Sequence, residues 1–263
     1  MNVFIMADIE GISGIYSKEQ VLPTGSRFGE GRKFMTEEIN ACVKGLKAAG
    51  VDKIYVRDAH GGSYTLDWAN ATSDVDGYIC GLHKDIRFVE IEDFDAVIFL
   101  GYHAMAGKEG AVLEHTYSSL NFENVFVNEE KAGEVLIDAA ILGEKGKPVI
   151  MVSGDDKVCA EAKAIIPNIV TAEVKKALDI EGAVLMPKEM AHKLIYEKAI
   201  EAVKNFENVK PFRVKTPVEM KVELVERRAL PNSLGKPYIK ILDGHTYTVS
   251  GETMEEALFR VLF

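Results

Sequence analysis

The sequence predicts an α/β protein with a largely parallel central sheet flanked by helices, followed by a smaller C-terminal α+β lobe. Three observations carry that reading. Four short apolar runs each end abruptly in polar residues, as strands buried on both faces do. Helical patterns lie between them, as parallel connections require. Beyond residue 209 the pattern turns to alternating β, so we divide the chain into an α/β core, 1–208, and a lobe packed on it, 209–263. A chain of 263 residues buries a substantial core without needing disulfides or a stabilising partner.

The first run, 3–7, stops at Asp8-Ile9-Glu10-Gly11. A Gly-rich charged loop over 25–31 leads to a helix at 36–49, where Ile39, Val43, Leu46 and Lys47 recur at helical spacing and Gly50 closes the end. The second strand, 54–56, exits into Asp58-Ala59-His60-Gly61-Gly62. The third, 96–100, exits into Gly101-Tyr102-His103, and the fourth, 148–152, into Ser153-Gly154-Asp155-Asp156. Between these last two, 125–127 and 131–132 flank Asn128-Glu129-Glu130 as a hairpin, and 133–142 is helical. A short helix follows at 160–166, then a longer amphipathic one at 187–206 with proline at its start. In the lobe, 218–225 alternates apolar and charged residues, 238–249 is a hairpin around Asp243-Gly244, and 252–263 is a final helix.

Composition narrows the function classes. A formal net charge of -10 without any Lys/Arg-dense stretch argues against nucleic acid as a partner, because such surfaces need clustered positive charge. It suits a host for cations. Cys42, Cys80 and Cys159 are odd in number and widely spaced, so they form neither a disulfide framework nor a zinc knuckle, and they read as small buried hydrophobes in a reducing compartment. The N-terminal run is too short for a signal-peptide core, and no apolar run approaches the roughly 18 residues of a membrane span. The expectation is a cytoplasmic protein without a membrane partner.

In parallel α/β sheets ligands bind at the carboxyl ends of the strands, and that is where the unusual side chains fall. Asp8 and Glu10 lie two apart at one strand exit, Asp58 and His60 repeat the spacing at the next, and His103 ends a third. Two carboxylates at i and i+2 of an extended segment share a side and repel unless a positive charge sits between them. Carboxylates and imidazoles together are ligands that zinc favours. Each signal alone reads as a loop residue or a structural histidine; their meeting at three exits points to a metal site. Asp58 reads as a ligand or as the group that orients a metal-bound imidazole, and Asp155 and Asp156 read first as helix N-caps. The Gly11-Ile12-Ser13-Gly14 segment matches no P-loop or dinucleotide fingerprint.

The blocks Asp8-Ile9-Glu10-Gly11-Ile12-Ser13-Gly14, Asp58-Ala59-His60, Gly101-Tyr102-His103-Ala104 and Gly133-Glu134, in this order along nearly the whole chain, resemble the zinc D-aminopeptidases linked to bacterial dipeptide transport. The resemblance implies two zinc ions per subunit, held by Asp8, Glu10, His60, His103 and Glu134. It also implies a catalytic His115, acting as general acid/base or as nucleophile, and a large ring-like homo-oligomer, a decamer, with its active sites facing an inner chamber. By local pattern alone Glu134 would serve only the dipole of its helix, and His115 would be a surface histidine. On this reading the chain is a dinuclear zinc aminopeptidase acting on short peptides with a free N-terminus, with D-amino-acid specificity. Two rivals keep the metal: an esterase or phosphoester hydrolase, since two-metal sites serve that chemistry too, and a metal- and peptide-binding protein without turnover.

Overall fold

The computed structural model describes residues 1–81 and 86–263 and builds two sheets. In chain order the elements are β1 (Asn2–Ala7), α1 (Phe28–Ala48), β2 (Lys53–Asp58), β3 (Gly77–Ile79), β4 (Ala96–Leu100), β5 (Phe122–Val127), β6 (Glu130–Lys131) and α2 (Glu134–Glu144). They continue with β7 (Val149–Asp155), α3 (Asp156–Ile165), β8 (Val170–Asp179), β9 (Gly182–Leu185), α4 (Lys188–Lys204), β10 (Val218–Leu224), β11 (Ile239–Ile241), β12 (Thr246–Gly251) and α5 (Met254–Leu262). The large sheet has the order β3-β2-β1-β4-β7-β8-β9 and is parallel except for the last pair. The predicted α/β class is therefore what forms.

The central strands are continuous apolar runs because both faces are covered: every residue of β4 and β7 is buried, and all of β1 beyond Asn2. From β1 the chain winds outward through β2 to β3, then returns to β4 and winds the other way. Right-handed crossovers running in opposite directions place α1 and α3 on opposite faces, and α4 packs beside α1. The point where the winding reverses lies between β1 and β4. A crevice opens there at the strands' carboxyl ends, so Asp8 and His103 meet across it.

The antiparallel sheet has the order β11-β12-β10-β5-β6. Its middle strand alternates buried and more exposed residues, the mark of a sheet with one covered face. The strands after residue 209 thus share a sheet with β5 and β6 from the middle of the chain. The expected hairpin turns at Asn128 and Glu129, both with positive φ, which suits a tight turn between twisted strands.

Several expectations need correction. Helix α1 begins at Phe28, inside the segment read as a loop. Gly31 is there for packing rather than for a turn, since a Cβ would fall on the Gln20 carbonyl oxygen of the preceding 3-10 turn, Lys18–Gln20. The fourth parallel strand runs on through Ser153, Gly154 and Asp155. The hairpin β8–β9 and the short edge strand β3 were not anticipated. Cys42 and Cys159 are buried as expected, whereas Cys80 is exposed just after β3. No helix among the described residues is long and apolar enough to cross a membrane.

Gly31→Ala is expected to destabilise the protein by about 1–3 kcal/mol, the range for overpacking a tight contact, read as a lower denaturant midpoint. An unchanged midpoint would mean that α1 and the 3-10 turn separate freely.

Candidate metal centre

Asp8 leaves the end of β1, where its backbone N–H donates to Leu100 O at 2.8 Å. The following residues turn sharply against the β4 exit: Gly11 N donates to Gly101 O at 2.7 Å, and a Cβ on Gly11 would strike the Tyr102 carbonyl. That contact carries Glu10 back over the crevice. The turn is held from beneath by Lys175 of β8, whose buried ammonium donates to the carbonyls of Glu10, Ile12 (3.0 Å) and Ile15 (2.7 Å). Three acceptors match the three N–H bonds of an ammonium. Burial draws the Lys175 pKa down to about 8, which leaves it charged at neutral pH.

His103 follows β4 and is 1% exposed. Its Nδ1 meets the Ala104 carbonyl at 3.0 Å, so in the neutral ring Nε2 presents a lone pair to the crevice. That Nε2 lies 3.3 Å from Glu134 Oε1 and 3.6 Å from Asp8 Oδ2. His60 faces Glu10, Nε2 to Oε1 at 3.3 Å, and its Nδ1 is 3.0 Å from the Thr65 hydroxyl. Glu134 is the first residue of α2, capped by Gly133, and Tyr117 N donates to its Oε1 at 2.8 Å. His115 stacks on His103 with ring centroids 3.9 Å apart, and its Nε2 lies 3.9 Å from Glu134 Oε1. The six residues singled out in the sequence therefore converge on one crevice.

The electrostatics of this crevice would favour a bound cation. Burial and the neighbouring Glu10 push Asp8 well above the usual carboxylate range. Against burial, the Glu134 and Asp8 carboxylates lift His103 well above its ordinary value, and Glu10 lifts His60 to about 9. Glu134, which burial would raise, is held down to about 2 by His103. A divalent cation among these groups would relieve the like-charge repulsion that these shifts express. Glu10 Oε2 and His103 Nε2 are buried with no hydrogen-bond partner. Asp8, Glu10 and His103 each offer a ligand atom within 4.8 Å of the others, and so do His103, His115 and Glu134. Oxygen and imidazole donors without thiolate are a donor set that zinc accepts at sites left open for chemistry.

Of the acidic residues noted in the sequence, Asp58 departs from its reading and Asp155 keeps to it as a helix N-cap. Asp58 does not touch the His60 ring; it accepts from the backbone N–H groups of His60 (3.3 Å) and Leu66 (3.0 Å) and from Thr65 N, thereby fixing the loop that carries the ring. Asp155 caps α3 through Lys157 N and Val158 N and also accepts from Val112 N, so both its oxygens are committed. Other supports had no recognisable local signature. Arg87 pairs with Asp138 through two bonds of 2.9 and 2.8 Å, the Tyr102 hydroxyl donates to the same carboxylate at 2.7 Å, and Tyr117 lies under the guanidinium. For Lys175 a signal did exist: in 170–177 the apolar positions shift phase between Val174 and Ala177, as a β-bulge requires.

A cavity of about 190 Å³ opens onto these groups. It is bordered by Asp8, His60, His115 and Glu134 on one side and by Phe259, Leu262 and Phe263 of the C-terminal segment on another.

Lys175→Met would remove the donor from the Glu10 and Ile15 carbonyls, while Ile12 O keeps its bond from Ile15 N at 3.2 Å. The substitution is expected to cost on the order of 3 kcal/mol of stability, and zinc affinity should fall because the Glu10 turn loses its anchor. Chemical denaturation and competition with a chelator measure both. Unchanged zinc affinity in a folded Lys175→Met protein would separate the lysine from the metal centre.

Comparisons with known proteins bear on family and fold. The sequence profile of the family described as D-aminopeptidase matches residues 1–262. A D-aminopeptidase of Bacillus subtilis (strain 168) is 32% identical over 229 residues, covering 86% of this chain and 81% of that one. The solved structure of the Zn-dependent D-aminopeptidase DppA from Bacillus subtilis, described as a self-compartmentalizing protease, superposes with a TM-score of 0.92 at 28% identity, over 100% of this chain and 95% of that one.

Proposed function

The chain belongs to the D-aminopeptidase family, and from that premise we propose that it is a dinuclear zinc aminopeptidase releasing the N-terminal residue, of D configuration, from short peptides. The family and its zinc-dependent relative make it a metallopeptidase. The observation that supports the finer reading is the convergence of three carboxylates and two imidazoles: Asp8 Oδ2 and Glu134 Oε1 lie 3.6 and 3.3 Å from His103 Nε2, and Glu10 Oε1 lies 3.3 Å from His60 Nε2. In this reading Asp8, Glu10, His60, His103 and Glu134 hold the two ions, and His115 stays free to react.

Zinc bound there supplies Lewis acidity toward a scissile carbonyl and lowers the pKa of water to roughly 7. The chain's own residues supply the rest. The His115 Nδ1 is tied to the Leu113 carbonyl at 2.9 Å, which turns Nε2 toward the crevice. Burial and the adjacent His103 push its pKa below the ordinary histidine value, so Nε2 is unprotonated at neutral pH. Added positive charge would push it the same way. That lone pair can accept a proton and return it to the departing amine, or attack the carbonyl.

Substrate length follows from space. At about 190 Å³ the cavity is small beside the roughly 300–1,000 Å³ of drug-sized sites. It takes the end of a short peptide rather than a chain that continues in both directions. The DppA relative is described as self-compartmentalizing; for this chain we propose a homo-oligomer whose crevices face an interior.

Three outcomes test the reading. Carefully loaded protein should carry about two zinc ions per chain by elemental analysis, and Asp8→Ala or His103→Ala should empty at least one position; unaltered zinc in both variants removes the ligand assignment. His115→Ala should keep its zinc and lose turnover by roughly 100-fold or more, whereas loss of zinc as well would make it a ligand. Finally, alanyl di- and tripeptides with free N-termini, the D forms foremost, should be cleaved while acetylated ones are not. Light scattering should then give a particle much larger than the 29.0 kDa chain. A monomer that cleaves blocked peptides equally well is the contrary result.

A further inference from the structure

One wall of the same cavity holds a cation that the metal centre does not use. Arg57 of β2 is 4% exposed, and its Nε and Nη1 are buried without a hydrogen-bond partner. A guanidinium cannot shed its proton to escape this cost. The nearby carboxylates are already occupied: Asp58 accepts from three backbone N–H groups, and Asp138 is taken by Arg87, Tyr102 and Tyr117. Arg87 lines the cavity beside Arg57, with two of its three guanidinium nitrogens on Asp138. The buried Arg57 and the part-buried Arg87 face one cavity and repel, and an anion held there would relieve both the repulsion and the unmet donors.

We propose that Arg57, aided by Arg87, forms a carboxylate subsite that receives the free C-terminal carboxylate of a dipeptide substrate. The identity of that anion rests on the peptide-hydrolase reading above. A residue of extended chain adds about 3.3–3.6 Å, so a dipeptide whose scissile bond lies at the metal cluster keeps its far end within this cavity. A planar carboxylate meets a guanidinium through two parallel bonds, and a neutral amide cannot do so. The enzyme is therefore a dipeptidase by preference: longer peptides carry their carboxylate beyond Arg57, and the unmet guanidinium discriminates against them.

The test separates this subsite from turnover. Zinc-loaded His115→Ala protein is titrated calorimetrically with an alanyl dipeptide as the free acid and as the C-terminal amide, and wild-type protein is assayed on the same pair. The free acid is expected to bind on the order of 10- to 100-fold more tightly, the range for hydrogen bonds to charged groups. Adding Arg57→Met should bring the two affinities together, and Arg57→Lys should restore part of the difference, with zinc content unchanged in both. Equal affinity for acid and amide, or no binding of either, overturns the proposal and leaves water as the partner of Arg57. Because the acid-amide comparison needs no Arg57 variant, a misfolded Arg57→Met cannot rescue it. Acid preference in binding without any wild-type turnover would support the subsite and sink the aminopeptidase reading.

Discussion

The concentration of buried carboxylates at the boundary between β1 and β4 is the constraint on which the rest of the structure depends. Asp8, Glu10 and Glu134 are each 5–6% exposed and approach one another around His103. Buried anions so close are tolerable only with a compensating positive charge among them. Imidazoles meet that need in part by taking protons, and a divalent ion would meet it more fully. The strand exits, the turn after Asp8 and the start of α2 are arranged so that these charges face a common point rather than separate patches of solvent.

The surrounding charges keep that cluster from relaxing. Lys175 ties down the backbone behind Glu10, and Arg87 with Asp138 braces the floor beside Glu134, where Nη2 approaches Oε2 to 3.8 Å. Neither is a surface contact of small worth: Lys175 bonds backbone carbonyls, and Arg87 pairs with the fully buried Asp138. Each has a buried partner, is multiply hydrogen-bonded and is costly to break on one side only. Rigid donor placement of this kind is what a metal site open to substrate requires, because the ligands must hold their geometry when one coordination position is vacated.

How much of this was legible in the sequence depends on whether the signal was local. Continuous apolar strands with polar exits are local, so β1, β2, β4 and β7 were found, and with them Asp8, Glu10, His60 and His103. Glu134 and His115 had no local mark, since a Glu at a helix start has a plainer purpose; only the family resemblance pointed to them. The early start of α1 was missed because Gly29 and Gly31 read as loop residues, and the reason for Gly31 is a contact with Gln20, which no window of sequence contains. Strands β8 and β9 went unread although their alternation was visible. With them went Lys175, whose inward turn depends on the bulge opposite Asp155. Arg57 lay unnoticed inside a correctly placed strand, because burial without a partner is a tertiary fact.

The antiparallel sheet explains why the wall of the cavity and the metal centre are not independent. After β4 the chain passes through His103, His115 and Tyr117, forms β5 and β6, and then delivers Glu134 at the head of α2. Strand β5 pairs with β10, β10 pairs with β12, and α5 packs on both β10 and β12 while presenting Phe259 and Leu262 to the cavity. The two helices are also joined end to end, since Met254 N donates to Glu144 Oε1 at 2.8 Å, and Glu255 accepts from Arg87 N at 2.8 Å. Residues that border the cavity are thus fixed to the same sheet and the same arginine that position a candidate ligand. A change in the C-terminal segment that alters the cavity's width will therefore also strain the support of Glu134, so substrate range and metal affinity are expected to vary together.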